Sequence, residues 1–411
     1  NSVSTEDNAT SRGAVNYVYG VDAESTAGNT INFDASTSTT LQQLAATIAG
    51  DAQAISELGE QEALAITTLL SSGDTNLIGD ALASLMGDAS SVDGTAESRS
   101  QLSALLGLHS ETIEIEGDAE LLANLGLTSS NDASSLTGDA IASTNAGNVE
   151  GFSVDQLDAD GEITLEGNIE ADLNLLASSV DGTANSELTL DELSALNGVL
   201  NSDSDAALTL TSDMSVSVES SSFSDDSSAS FNANQQSAAS GVEAVEGSVS
   251  SGSSLNFDAD SDFDLALDAS SVDGDANLNV AAMDGENSVE ISGLNDLDLI
   301  STSDQDTFID VNSTINATAS TQEGKATAAV AVDTVAADAG SISSQQDGII
   351  DLNASNAINL ITNTSGGDNE DEASLTLDST VSAYRGNAGD SIEVSDSGEI
   401  SLASNKVVDL I

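Results

Sequence analysis

The five-residue string Ser-Ser-Val-Asp-Gly occurs at Ser90–Gly94, Ser178–Gly182 and Ser270–Gly274, with copies 88 and 92 residues apart. Each copy follows a related segment: NLIGDALASLMGDA, ITLEGNIEADLNLLA and LNFDADSDFDLALDA. An earlier relative, INFDASTSTTLQQLA, starts at Ile31, and a later one, IIDLNASNAINLITNTSGGD, starts at Ile349. A chain that repeats at a long, nearly fixed interval stacks equivalent units, each covering the apolar face of its neighbour.

Inside these segments apolar and polar residues alternate, as at Ile163, Leu165, Leu173 and Leu175, or Leu255, Phe257, Phe263, Leu265 and Leu267. A period of two puts successive side chains on opposite faces of a strand. The expected fold is therefore mainly β: an elongated, repetitive β-solenoid or a row of tandem β-sandwich modules of about 90 residues. Three regions are expected. They are an N-terminal module over 1–88, a first β-rich repeat region over 89–230, and a second over 231–411 ending in a C-terminal strand, with the boundary near Ser230 set in a Ser-rich tract.

The stretch from Leu41 to about Met86 breaks the alternation. QAISELGEQEALAITTLL spaces its apolar residues at Ile55, Leu58, Ala63, Ile66 and Leu69, which predicts a helical segment near the N-terminus. Leu102–Leu108 and Leu190–Leu200 read as short helices of the same kind.

Proline is absent and aromatics make up 2% of the chain, although 39% is hydrophobic. A chain that keeps every backbone N–H suits unbroken ladders around thin aliphatic cores. Against five Lys and Arg stand 71 Asp and Glu, a formal charge of −66. Such self-repulsion is relieved by spreading the carboxylates over a long surface or by binding cations, and it also suits a saline setting. Arg12, Arg99, Lys325, Arg385 and Lys406 are scattered, so no basic patch exists to hold nucleic acid or an anionic membrane. There are no cysteines and no apolar run long enough for a membrane-spanning helix. A start at Asn1 fits an exported, processed chain or a trimmed one.

Among the acidic residues, the run from Asp181 to Glu192 comes nearest to a calcium loop, which takes oxygen ligands at positions 1, 3, 5, 7, 9 and 12. Asp181, Thr183, Asn185, the Glu187 carbonyl, Thr189 and Glu192 stand at those places, but Ser186 replaces the turn glycine. A sibling begins at Asp273 with Asp275, Asn277 and Asp284, and a second acidic loop holds Asp155, Asp158 and Asp160 before Gly161. Both are candidates for Ca²⁺. The other reading is that Val-Asp-Gly is a β-turn carried along with its repeat, Asp-Gly being a favoured turn pair.

Catalysis has little to draw on. His109 is the single histidine, there is no Cys, and the aromatic platforms of sugar-cleaving sites are missing, so the chain reads as a non-enzyme with a surface or turn histidine. Asn-x-Ser/Thr occurs at Asn8, Asn312, Asn316, Asn353 and Asn363, a frequency that a chain this rich in Asn, Ser and Thr reaches by chance.

The strings DGEITLEGNIEADLNLLAS, DGIIDLNASNAINLITN and SGEISLASNKVVDLI resemble the coils of filamentous-haemagglutinin-like secreted β-helices and large bacterial surface adhesins. The resemblance covers about a third of the chain, and the 90-residue spacing and the helical-looking stretch depart from it. It implies a fibrous, exported, non-catalytic protein. The expected function is an extracellular structural subunit of a filament, sheath or surface layer, a homo-oligomer or polymer. The alternatives are a monomeric calcium-dependent adhesin holding a cell-surface receptor or glycan, and a virion fibre or tail protein. The C-terminal SLASNKVVDLI would either donate a strand to a neighbour or pair within its own chain.

Overall fold

The structure, a computed structural model, describes residues 1–240, 247–281, 289–295, 297–338, 341–344, 346–365, 372–384, 391–394 and 398–411. Ten of the described strands form sheet A: β1 (Ser2–Ser4), β3 (Ile31–Ala49), β5 (Thr75–Asp93), β7 (Ala119–Ser135), β9 (Ile163–Ser179), β11 (Ala206–Ser222), β14 (Leu255–Ser271), β18 (Gln305–Thr321), β21 (Gly348–Thr364) and β24 (Glu399–Leu410). Sheet B begins with β2 (Ala9–Ala27), β4 (Ala52–Ser71), β6 (Ala96–Ile115), β8 (Ala140–Ala159) and β10 (Ala184–Ser202). Its later layers are described in parts: β12 (Ser227–Ser240) with β13 (Gly247–Ser251), then β15 (Ala276–Ala281), β16 (Val289–Asn295) and β17 (Leu297–Ser301), then β19 (Lys325–Asp338) with β20 (Ile342–Ser344), and β22 (Glu372–Tyr384) with β23 (Ile392–Val394).

Every pairing among the described residues is parallel, and the chain passes from one sheet to the other at each corner, so a layer of each sheet makes one coil. Ile31 pairs with Thr75, Thr75 with Ala119 and Ala119 with Ile163, a step of 44 residues. Ala206 to Leu255 is a step of 49 and Leu255 to Gln305 a step of 50. The spacing of about 90 residues is therefore two coils. In sheet A the ladder crosses position 88 through β5 and position 230 between β11 and β14.

The core lies between the sheets, and its width decides which residues fill it. Near the strand ends the columns Ala52–Ala96–Ala140–Ala184 and Ala45–Ala89–Ala133–Ala177 are buried to 1% exposure or less. Other columns hold larger side chains: Leu77, Leu121, Leu165 and Leu208 near the starts of their strands, and Phe152, Phe231, Phe257 and Phe263 are likewise buried. A thin core of this kind needs little aromatic volume, which accounts for the composition.

No helix occurs among the described residues, which corrects the expectation for Leu41–Met86 and for the two shorter segments. The helical-looking spacing has a specific origin in β4. Its buried positions run Ala52, Ala54, Ser56 and Leu58, then skip three to Gln61, and skip three again from Ile66 to Leu69. Gly59, Ala63 and Thr67 drop out of the ladder to β6, as do their counterparts Ser103, Gly107 and Glu111. Irregularities that add a residue to a strand shift its side-chain phase, and apolar spacings of three imitate a helix. β6 and β10 carry the same interruptions, so Leu102–Leu108 and Leu190–Leu200 look alike and are strand.

Candidate functional site

The Ser-Ser-Val-Asp-Gly marker forms the corner from sheet A to sheet B. Its second serine points inward and donates to a carbonyl of the preceding coil: Ser91 Oγ to Gly50 O at 2.8 Å, Ser179 to Gly138 O at 2.7 Å, and Ser271 to Asp225 O at 2.7 Å. Ser135, Ser222 and Thr321 repeat the contact at corners without the marker. The glycine is required where the coils touch: Gly94 has φ +144°, and a Cβ there would collide with the Gly50 carbonyl.

One residue further, a column of polar residues caps each coil with the next. Thr95 N donates to Asp51 Oδ1 (3.0 Å), Thr183 N to Asp139 Oδ1 (3.0 Å), Asp275 N to Asp226 Oδ1 (2.8 Å) and Lys325 N to Asp275 Oδ1 (2.8 Å). Two of the sequence-predicted calcium ligands, Thr183 and Asp275, are thus members of this turn ladder.

The other predicted ligands do not converge on them. Asn185, Glu187 and Thr189 stand at alternate outward positions of β10, and Glu192 lies beyond them. At about 3.3 Å per residue, Ala184 to Glu192 spans roughly 26 Å, whereas calcium ligands sit about 2.4 Å from one ion. Asp181 accepts from Ser224 Oγ at 2.6 Å in the corner of the adjoining coil. Asp155 and Asp158 lie on β8 and Asp160 in the turn after it; Asp158 accepts from Asn201 Nδ2 at 2.8 Å and from Gln156 Nε2 at 2.6 Å. Asp273 sits in the corner after β14, Asn277 accepts from Thr327 Oγ1, and Asp284 lies outside the described residues.

Carboxylates do gather on the outer face of sheet A. β14 presents Asp258, Asp260, Asp262 and Asp264 at alternate positions, with Asp213 on β11 beside Asp262 and Asp310 on β18 beside Asp260. Partial burial, with the charges of Asp262, Asp310, Asp213 and Asp258, pushes Asp260 up to about 6. In sequence this was visible only as the alternating Asp of LNFDADSDFDLALDA.

A second cluster, missed in the sequence, lies on sheet B where β4 and β6 are kinked. At the kink sheet B closes on sheet A: a Cβ at Gly107 would lie 2.7 Å from Leu125 Cδ1 and 2.9 Å from Ala123 Cβ. The outer surface is hollowed there into a groove of about 260 Å³, lined by Tyr19, Asp22, Glu60, Glu62, His109 and Glu111 among others. Glu62 sits at its floor, 3% exposed, with His109 Nδ1 3.3 Å from its Oε1. Burial pushes the Glu62 carboxyl up, but hydrogen bonds to His109 and Glu60 outweigh it and hold it below the usual range. Hydrogen bonding to Glu62, partial burial and the charge of Glu62 raise Glu60 to about 7. His109 is raised, first by its bond to Glu62.

No family model, curated protein or solved structure matches this chain. Among the described residues no group of three or more His, Cys, Asp or Glu is arranged to hold a metal ion, and no helix is long and apolar enough to cross a membrane.

Proposed function

We propose that the protein is an extracellular structural subunit that polymerises by stacking its outermost coils on those of further copies. The observation that carries this reading is the state of β24. It pairs with β21 on one side, and all twelve of its residues are exposed. They include Ile400, Leu402, Val407, Val408 and Leu410. A long parallel edge with apolar rows on its faces is a template for another strand, and stacked-coil proteins cover such edges to remain soluble.

The opposite face of the stack has a matching opening. Following the ladder from coil to coil, Glu399 to Leu410 occupy the columns of Asn32 to Gln43 in β3, while β1 covers only Ala45–Thr47 of that strand. β24 of one copy laid against β3 of another would therefore fill the uncovered length in phase, in line with β1. The likeness of its strings to secreted β-helices supports the same reading, as does the carboxylate excess, which would keep copies apart until cations such as Ca²⁺ screen it.

Negative-stain microscopy at low and high salt, with and without Ca²⁺, tests this directly. Filaments or sheets that appear with cations, and vanish when Leu402 and Val407 are both replaced by Asp, are the expected result. Isolated particles under every condition would reject assembly.

A further inference from the structure

The groove above Glu62 joins residues from three successive coils of sheet B. Tyr19 pairs with Glu62 and Tyr17 with Glu60, while His109 pairs with Ala65, three residues beyond Glu62. Parallel layers lie about 4.8 Å apart, so the tyrosines stand directly over the two carboxylates. Their rings are stacked, with centroids 6.1 Å apart and planes 8° apart, and both are exposed, at 65% and 45%.

Two independent features describe what would occupy this place. The first is charge. Asp22, Glu60, Glu62 and Glu111 line the groove, with His109 as the basic residue among its lining. A carboxylate as buried as Glu62 is costly to hold beside a second one unless positive charge is supplied. The second is aromatic: Tyr19 lines the same hollow and Tyr17 stacks on its ring, in a chain with three tyrosines and no tryptophan. Ring faces attract cations through the quadrupole, more strongly where water is partly excluded. Hydrated metal ions gain nothing from such rings, whereas an alkylammonium group gains from both rings and carboxylates.

We propose that this groove binds an organic ammonium ion, a primary or quaternary alkylammonium head, with Glu62 and Glu60 as counter-charges and Tyr19, backed by the stacked ring of Tyr17, as the aromatic wall. The cation takes over the role of the proton on Glu60, so binding near neutral pH releases a proton and weakens as pH falls. The site lies on a side of the stack and does not depend on the assembly reading.

Tyrosine fluorescence reports on the site directly, because Tyr19 lines it and Tyr17 stacks on Tyr19. Tetramethylammonium and n-butylammonium chloride should each give a saturable change in the full-length chain, while NaCl at equal ionic strength should not. Tyr19→Ala, at an exposed position that folding does not need, should weaken binding about tenfold, as expected for loss of a partly desolvated cation–π contact. Glu62→Gln should weaken it at least as much, and Tyr384→Ala should leave it unchanged. A response that NaCl reproduces, or that Tyr19→Ala and Glu62→Gln both leave intact, would overturn the proposal.

Discussion

Ser135 Oγ lies 2.8 Å from the carbonyl oxygen of Gly94, 41 residues earlier in the chain, and donates to it from inside the corner. This bond ties one coil to its predecessor where the backbone leaves the regular ladder. Ser135→Ala leaves that carbonyl without its donor and should cost about 1 kcal/mol. Because each coil touches only its neighbours, the loss should be local. Amide exchange should quicken around β6 and β8 and stay unchanged in β18; a uniform increase would mean the coils unfold as one unit.

Gly107→Val tests the kink in sheet B. The first added carbon already meets Gly151 O at 2.6 Å and the Leu125 side chain at 2.7 Å. Overpacking of this kind costs about 1–3 kcal/mol. A lower urea midpoint is expected, together with a changed tyrosine signal as the groove floor moves. An unchanged midpoint would show that the sheets can separate there freely.

Stability should fall as pH rises from about 4.5 to 7. Glu60 is raised to about 7 in the fold, chiefly by its hydrogen bond to Glu62, with Glu62, His109, Tyr17, Tyr19, Asp22, Glu111 and Glu150 around it. Asp260 is raised to about 6, chiefly by burial. For such acids the unfolded chain releases the proton first, so their contribution is full below the ordinary carboxylate range and is lost as pH climbs through the folded values. Melting temperatures at pH 4.5, 6 and 8 in constant salt check the sign, and Glu60→Gln should flatten the curve.

Asp260→Asn should stabilise the protein at pH 8 in low salt, by a few tenths of a kcal/mol to about 1 kcal/mol once solvent screening is allowed for. It removes one charge from the carboxylate row on β14 and its neighbours. The gain should shrink in 1 M NaCl, where the screening length is about 3 Å. Millimolar Ca²⁺ should raise the melting temperature of the unsubstituted chain more than that of this variant.

The alternation that builds sheet A was readable because its strands keep one phase from end to end, as in LNFDADSDFDLALDA of β14. Sheet B was misread where β4 slips phase at Gly59 and Thr67, since local periodicity has no way to tell a slipped strand from a helix turn. The coil length was doubled for a related reason. Intervening corners carry Ser-Ser-Leu-Thr-Gly at Ser134–Gly138 and Ser-Ser-Phe-Ser-Asp at Ser221–Asp225, which hold the same columns with different letters. With a step of 44 in hand, His109 falls on Ala65, three residues from Glu62, and a step of 43 brings Tyr17 and Tyr19 onto Glu60 and Glu62. The groove is thus written in the sequence only at a period that the marker string conceals.

From β7 to β21 every layer of sheet A is seventeen residues long, while the step between layers varies from 43 to 50. The difference in length therefore falls outside sheet A, between the end of one of its layers and the start of the next. The molecule therefore behaves as a ruled spine with an adjustable margin. Foreign peptides grafted at equivalent exposed corners of adjacent layers, such as Leu136 and Val180, would stand about 4.8 Å apart while the spine kept its pitch.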